Sequence, residues 1–265
     1  MEKQFREAVD RGLVGETEEI LRNNPKLDVN LREGNHGDTA LHRACSRNDD
    51  SMGRFLFAHP DIDVNRENNF GFTPFMRACF NGSTSCVRLL LKDCRVEVNQ
   101  PDTDGYTPLW QVSFWEHIVV AKWWIASGRE MDLGSAADYK TDAIGRAAQD
   151  EKELGILLER FKENPDEIRH AKRLEIGWYN EAAAEMFALV VFVSDGLLRV
   201  TQSDQSMTTH AVRFFNIASH LPLELQMVLC HRVVGSSKEI IHGEDSEVAF
   251  KSLAESLLWS SFFTN

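Results

Sequence analysis

The apolar and polar positions of the chain repeat with a period of 34 residues through its first half. Each period opens with a glycine two residues before a threonine, and a cluster of large apolar residues follows. The glycines are Gly37, Gly71 and Gly105, the threonines are Thr39, Thr73 and Thr107, and the clusters begin at Phe55, Leu89 and Trp123. A repeat of this length is typical of stacked helical units that cannot bury their apolar faces alone.

Each period predicts a turn, a first helix, a tight turn and a second helix. The threonine hydroxyl can accept from the free amides at the start of the first helix, and Pro74 and Pro108 fit a first helical turn. Small residues such as Ala44 and Cys45 would let neighbouring first helices lie close together. We expect the large apolar residues of the second helices, including Trp123 and Trp124, to fill the core between units.

The opening of each period resembles the ankyrin repeat. The three openings are Gly37-Asp38-Thr39-Ala40-Leu41-His42, Gly71-Phe72-Thr73-Pro74-Phe75-Met76 and Gly105-Tyr106-Thr107-Pro108-Leu109-Trp110. The family has Gly-x-Thr-Pro-Leu-His here, so Met76 and Trp110 depart from it, as do Asn48 and Glu116 where Gly82 keeps the glycine of the inter-helix turn. The resemblance implies an all-α solenoid with short β-hairpin turns, in which His42 bonds to backbone between repeats.

Degenerate copies flank the three clear repeats, over residues 5–30 and 141–164. Terminal repeats are expected to be atypical, because one of their faces meets solvent or another domain. We therefore predict an ankyrin-repeat domain over residues 1–165. Its five repeats are expected near 1–34, 35–68, 69–102, 103–137 and 138–165.

The remaining residues, 166–265, predict a helical C-terminal domain. Amphipathic patterns predict helices over 181–198 with Asn180 as the cap, over 209–219, from Pro222, and from Ser246. Two segments, 221–227 and 245–254, resemble the tail that follows ankyrin arrays in uncharacterised ankyrin-repeat proteins of single-celled eukaryotes. That resemblance implies no established activity.

An alternative for this tail comes from Leu221-Pro222-x-Glu224-Leu225, which resembles the start of an F-box. An F-box would make the protein a substrate-receptor subunit of a ubiquitin ligase. The rest of the F-box pattern is absent, and proline at the start of an apolar helix is common. A plain packing helix is the competing interpretation.

The charge balance narrows the partner class. The chain has 29 basic and 41 acidic residues and a formal net charge of −12, which disfavours nucleic acid and anionic membranes because both need clustered cations. A basic protein partner is permitted. The five cysteines suggest reduced thiols, and the N-terminus has no apolar signal core, so we expect a cytoplasmic protein.

No pattern for catalysis is present. We find no phosphate-binding glycine loop, no nucleophile elbow and no zinc-binding helix. The adjacent Cys230 and His231 are interpreted as a core cysteine and a surface histidine. We therefore predict a protein that is not an enzyme and that needs no cofactor and no metal.

The resemblance also implies where a partner would bind, namely at the hairpin tips and on the exposed face of the first helices. The first repeat offers mainly polar residues there, whereas the next two offer six aromatic residues. The predicted contact residues are His36, Asp38, Arg47, Asn69, Phe70, Phe72, Phe80, Asn81, Asp104, Tyr106, Phe114 and Trp115. Exposed clusters of aromatic side chains mark interfaces, so we predict a protein-binding adaptor or scaffold.

Two possibilities for covering this aromatic patch are open, an external protein partner or the chain's own tail. A related hypothesis concerns the last repeat, whose apolar triplet Ile156-Leu157-Leu158 would lack a cap. The first tail helix is rich in apolar residues, and we expect it to dock on that repeat. The helix carries Met186, Phe187, Val190, Val191 and Phe192.

Overall fold

In a computed structural model of the protein, the described residues are 1–149, 153–198, 214–215, 217–238 and 240–264, without the side chains of 256 and 258–264. The chain divides into two compact units. The first covers Met1–Lys172 and the second Arg173–Phe262. The predicted boundary at residue 165 lies close to this division, which falls inside a helix.

The first unit is all-α in its described part and consists of helix pairs followed by one further helix. The pairs are α1 (Glu2–Asp10) with α2 (Val14–Asn23), α3 (Ala40–Ser46) with α4 (Asp50–Phe57), α5 (Pro74–Asn81) with α6 (Thr84–Lys92), α7 (Pro108–Phe114) with α8 (Ile118–Ser127), and α9 (Ala143–Ala148) with α10 (Glu153–Glu163). Helix α11 (Pro165–Glu175) follows. First helices pack on first helices and second helices on second helices, so the unit is a solenoid.

The first helices begin where the threonine pattern predicts. The hydroxyl of Thr73 accepts from the Met76 amide at 3.1 Å, and that of Thr107 from the Trp110 amide at 3.2 Å. Thr39 forms a capping box with His42. These bonds satisfy amides that the first turn of a helix would otherwise leave free. The predicted helix starts are confirmed.

The turns before these helices are tight loops. The Asn68 amide donates to the Phe72 carbonyl at 2.9 Å, and the Asp102 amide donates to the Tyr106 carbonyl at 2.9 Å. In the described residues, extended pairing amounts to one isolated bridge between Glu33 and Asp38. The expected β-hairpin tips are thus present as hydrogen-bonded turns.

Asparagine side chains join successive loops of the solenoid. The Asn65 amide group donates to the Arg95 carbonyl at 2.8 Å, while its oxygen accepts from the Glu97 amide at 2.8 Å. Asn30 and Asn99 make the same pair of bonds to the loops that follow them. This ladder fixes the spacing of neighbouring repeats, because each asparagine satisfies a donor and an acceptor of the next loop.

The core between the helix layers is built as the pattern predicts. Trp124 and Phe75 are fully buried and their ring centroids lie 4.9 Å apart. Ala44 and Cys45 are also buried, which allows close approach of the first helices. Trp123 is buried as well, so the prediction that both tryptophans belong to the core is confirmed.

The second unit has its own apolar core. Its helices are α12 (Trp178–Ser194), α13 (Leu223–Val233) and α14 (Gly243–Thr264). The core is built around Phe187, Val190 and Cys230. Two predicted starts are wrong: α12 begins after Gly177, whose φ of 73° is left-handed, and α14 begins before Ser246. Most of the predicted helix over 209–219 lies outside the described residues.

The apolar residues of α12 find their partners within the second unit. Met186, Phe187, Val190 and Val191 belong to its core or pack against it, and Phe192 stacks on Phe250 with centroids 6.0 Å apart. These residues thus have partners within the second unit, and docking of this helix on the last repeat stays a prediction. Of the triplet in α10, Leu157 and Leu158 are buried in the folded chain, and Ile156 is 55% exposed.

Candidate protein-binding surface

A continuous row of aromatic rings crosses the loops and first helices of the solenoid. Nine rings follow one another, with neighbouring centroids between 4.3 and 6.5 Å apart. In spatial order they are His36, Phe70, Phe72, Phe80, Trp115, Phe114, Trp110, Tyr106 and Tyr139, and we call this row the aromatic ladder. The distances and tilted orientations are those that aromatic pairs prefer.

Two kinds of element hold these rings. The tips supply His36 and Phe70, whose rings meet edge to face at 5.4 Å. The last turns of α5 and α7 supply Phe80 and Phe114, and Trp115 follows directly as the C-cap of α7. The 34-residue period thus places aromatic side chains of successive repeats side by side, because each repeat offers the same two positions.

At both positions, hydrogen bonds to backbone carbonyls hold the residues that carry the rings. The amide of Thr103 donates to the Phe70 carbonyl at 3.1 Å, and the Thr103 hydroxyl donates to the same carbonyl at 2.9 Å. At the helix ends, Nε2 of His117 lies 3.1 Å from the Phe80 carbonyl. The ladder is therefore held on a rigid frame rather than on free loops.

Exposure along the ladder is uneven. Phe70 is 50%, Trp115 47% and Tyr139 69% exposed, and Phe114 is also exposed. The expectation that all six predicted aromatics face outward is only partly right. Phe72, Phe80 and Tyr106 are half-buried, because each packs against rings of the ladder on both sides. They support the exposed rings instead of standing free.

The polar residues predicted to bind a partner divide into two groups. His36, Arg47, Asn69, Asn81 and Asp104 are exposed as expected. The prediction for Asp38 is wrong in its geometry, since this residue is buried.

Asp38 is held by residues of the next repeat. It accepts from the Asn68 side chain at 2.7 Å and pairs with Arg77 at 3.4 Å. The Asp38 carboxylate bonds to residues of the solenoid and does not face a partner.

Four residues at the far end of the ladder were not predicted. Trp110 stacks on Phe114 at 5.0 Å, and Tyr139 contacts Tyr106 at 6.4 Å. Arg146 lies over the Phe114 ring at 4.4 Å, and the Lys140 ammonium lies 5.6 Å from the Tyr106 ring. Trp110 occupies the position of the family histidine, so the missing histidine was the signal in the sequence that could have found it.

His42 acts between repeats. Its Nδ1 accepts from the Thr39 amide at 3.2 Å, and its Nε2 donates to the Phe72 carbonyl of the next repeat at 2.7 Å. Burial lowers the pKa of His42, against the opposing effects of the Phe72 carbonyl and Asp38. The histidine therefore stabilises the repeat that carries the ladder.

The described residues also form a groove that contains no residue of the ladder. A polar groove of about 500 Å³ is lined by Arg32, Arg66 and several acidic and amide side chains. No group of three or more His, Cys, Asp or Glu side chains in the described part is arranged to hold a metal ion. The prediction of a surface histidine at 231 is wrong: His231 is buried and bonds to the Ile240 carbonyl at 3.0 Å.

Within the described part of the chain, no single helix has the length and apolarity needed to cross a membrane. Helices α11 and α12 satisfy that criterion only as a pair, bent by 70°. The Leu221-Pro222 segment leads into α13 as an ordinary helix start, and Leu223 and Leu225 are exposed. No specific observation here favours the F-box hypothesis.

Comparison with known proteins identifies the repeat. Residues 41–91 match the family model described as ankyrin repeats in many copies. The first unit is an all-α solenoid, and residues 41–91 within it are similar to ankyrin repeats. Ankyrin repeats generally mediate protein–protein interaction. The match covers α4 and α5 and most of α3 and α6, so the ankyrin assignment of the outer helix pairs stays a prediction, as does the likeness of the tail to other proteins. A search of curated proteins found no match.

Proposed function

We propose that the protein is a non-catalytic adaptor or scaffold that binds another protein through the aromatic ladder. The observation that carries this proposal is the continuity of the ladder from His36 to Tyr139, with its most exposed rings at both ends and in the middle. The resemblance to ankyrin repeats implies that partners bind at this surface, and in this chain the surface carries a row of aromatic rings.

The energetics favour a bound partner. Phe70 and Trp115 each leave about half of their surface in water, and burial of apolar surface yields about 25 cal/mol per Å². Aromatic side chains also lose little conformational entropy on binding and dominate the energetics of interfaces. A row of aromatic rings on a rigid frame therefore gives a partner several contact points with little loss of conformational entropy.

The test compares partner capture by the full chain and by a variant with both Phe70→Ser and Trp115→Ser. These two rings are exposed, so we expect the melting temperature to change little while the captured protein is lost. Affinity purification from the organism of origin with quantitative mass spectrometry measures the capture. Circular dichroism measures the melting temperature.

The matched control is Val119→Ser. Val119 is 50% exposed and lies on the second helix α8, which carries no ring of the ladder. The proposal requires that this variant keeps the partner. Equal capture by the double variant and by Val119→Ser would contradict the proposal.

A separate deletion tests the F-box hypothesis. If removal of residues 221–258 releases a ubiquitin-ligase scaffold from the full chain, that hypothesis is supported instead.

We further propose that the protein acts in the cytoplasm. The described cysteines are all free, and four of the five are buried, which suits a reducing compartment. Fluorescence microscopy of the tagged chain in its own cells tests this proposal. A signal confined to a secretory compartment would contradict it.

A further inference from the structure

We propose that the partner segment on the ladder is an extended acidic peptide whose carboxylate pairs with Arg146, with Lys140 as a second cation at the same end. This inference rests on the proposed function, since it names the chemistry of the ligand that the ladder takes. It adds a charge requirement that an aromatic surface alone does not impose.

One helical position carries the argument. It lies four residues after the N-cap of each first helix, where the caps are Thr39, Thr73, Thr107 and Asp142. The residues at this position are Arg43, Arg77, Gln111 and Arg146. Three of the four repeats therefore place an arginine at the same point of the solenoid surface.

The first two of these arginines have carboxylate partners within the solenoid. Arg43 pairs with Asp10 at 2.7 Å, and Arg77 pairs with Asp38 at 3.4 Å. Asp38 stands directly before the N-cap of the preceding first helix. The corresponding residue for Arg146 is Tyr106, so a phenol ring stands where Arg77 has its carboxylate.

Arg146 is held in place by other contacts. Its guanidinium lies over Phe114 with 4.4 Å from Cζ to the ring centroid, and its Nη1 donates to the Gln149 side chain. Its Nε is buried and has no hydrogen-bond partner, and no carboxylate pairs with the guanidinium in the part of the chain that the structure describes. Stacking on Phe114 fixes the plane of the guanidinium, and a ligand carboxylate would pair with its Nη2 or replace Gln149 at Nη1.

Lys140 adds a second positive charge beside the same rings. Its ammonium lies 5.6 Å from the Tyr106 centroid and 6.0 Å from that of Tyr139, and it donates to the Asp104 carbonyl at 2.5 Å. Over the described residues it too has no carboxylate partner. Lys140 and Arg146 give this end of the ladder two positive groups with which an acidic ligand can pair.

The extent of the ladder sets the size of the ligand. From His36 to Tyr139 it crosses three steps between neighbouring helix pairs, and packed helices lie about 8–10 Å apart. The ladder is therefore roughly 24–30 Å long. An extended chain rises about 3.3 Å per residue, so a segment of about seven to nine residues covers it.

The experiment selects ligands from a displayed library of random nine-residue peptides, using the full chain as bait. We expect the selected peptides to contain apolar or aromatic residues together with at least one Asp or Glu. Peptides without acidic residues, or an empty selection, would overturn the inference. Each selected peptide is then synthesised beside a version with Asn or Gln in place of the acid, and both are titrated by fluorescence anisotropy.

Arg146→Gln identifies the site. Against the wild-type chain, the amide peptide should bind at least about tenfold more weakly than the acidic one, the effect of losing about 1.4 kcal/mol. Against Arg146→Gln the two peptides should bind alike, and the control Arg54→Gln, which removes the same charge from α4, should retain the preference. An unchanged preference in Arg146→Gln would overturn the inference, while loss of binding with Phe70→Ser and Trp115→Ser would still uphold the proposed function.

A second variant guards against a folding effect. Arg146→Lys retains the charge but not the planar fork, so it should bind the acidic peptide better than Arg146→Gln and less well than the wild type. Circular dichroism checks that all variants melt as the wild type does. Binding of the acidic peptide by Arg146→Gln at the wild-type level, with unchanged melting, would overturn the inference.

Discussion

The turn between the two helices of a repeat shows what one residue contributes. It needs a left-handed backbone, and the chain places Asn48, Gly82 and Glu116 there, with φ of 56°, 66° and 58°. Asn48 compensates with its side chain, which accepts from the Ser85 amide at 2.8 Å. Glycine adopts this conformation without strain, whereas for other residues the left-handed backbone costs roughly 1–2 kcal/mol of folding free energy.

Glu116→Gly should therefore raise the free energy of unfolding, by about 0.5–1 kcal/mol. Gly82→Ala should lower it by more, because a Cβ at this position would lie 2.6 Å from Nδ1 of His117. Urea denaturation of the two variants measures both changes. A less stable Glu116→Gly variant would show that the side chain of Glu116 contributes more than the backbone strain costs.

A second prediction concerns His42. Burial lowers its pKa below the ordinary value of 6.5, so the unfolded chain binds a proton that the folded chain does not. Stability should then fall as the pH drops below about 6.5, until the pH reaches the lower pKa of the folded state.

His42→Gln should flatten this dependence, because glutamine retains a side chain suited to the capping box and does not titrate. Thermal melts between pH 7 and pH 5 provide the comparison. Identical slopes for the variant and the wild type would mean that other groups cause the loss of stability in acid.

At the scale of the elements, the asparagine ladder joins one repeat to the next. Asn65→Ala removes two hydrogen bonds to the following loop and leaves the Glu97 amide without its acceptor. We expect a loss of about 1–2 kcal/mol of unfolding free energy. Asn23→Ala, at the exposed end of α2, is the control and should change little. An equal loss of unfolding free energy in the two variants would contradict the role of these asparagine side chains in joining the repeats.

The helices of the solenoid could be predicted because sequence and structure share a period. Thr73 and Thr107 mark helix starts, and the apolar clusters mark the core, since these features act locally. Exposure at the ladder could not be predicted in full. Whether Asp38 faces solvent depends on Arg77 of the next repeat, and the exposure of Phe72 depends on Phe80 at the far end of the following helix.

The second unit illustrates the same limit. Its helix patterns were visible, but the left-handed Gly177 that starts α12 and the burial of His231 follow from tertiary packing. The sequence alone suggests a surplus of apolar residues on α12, because the helices that contact them, α13 and α14, lie further along the chain. No local pattern reports such contacts.

At the scale of the whole molecule, each unit has a core of its own. We therefore expect a fragment of residues 1–172 to fold without the second unit and to remain soluble. Size-exclusion chromatography and thermal melting of the fragment and the full chain measure this. An aggregating fragment would contradict this expectation and support the hypothesis that the tail caps the last repeat.

The central claim is that a protein partner lies directly on the aromatic ladder. Placing a photo-crosslinking phenylalanine analogue at Trp115 in the full chain, inside its own cells, tests that contact most directly. The account predicts that Trp115 crosslinks to a distinct partner protein and that the same analogue at Val119, equally exposed on α8, does not. No crosslink from Trp115, or the same products from both positions, would contradict it.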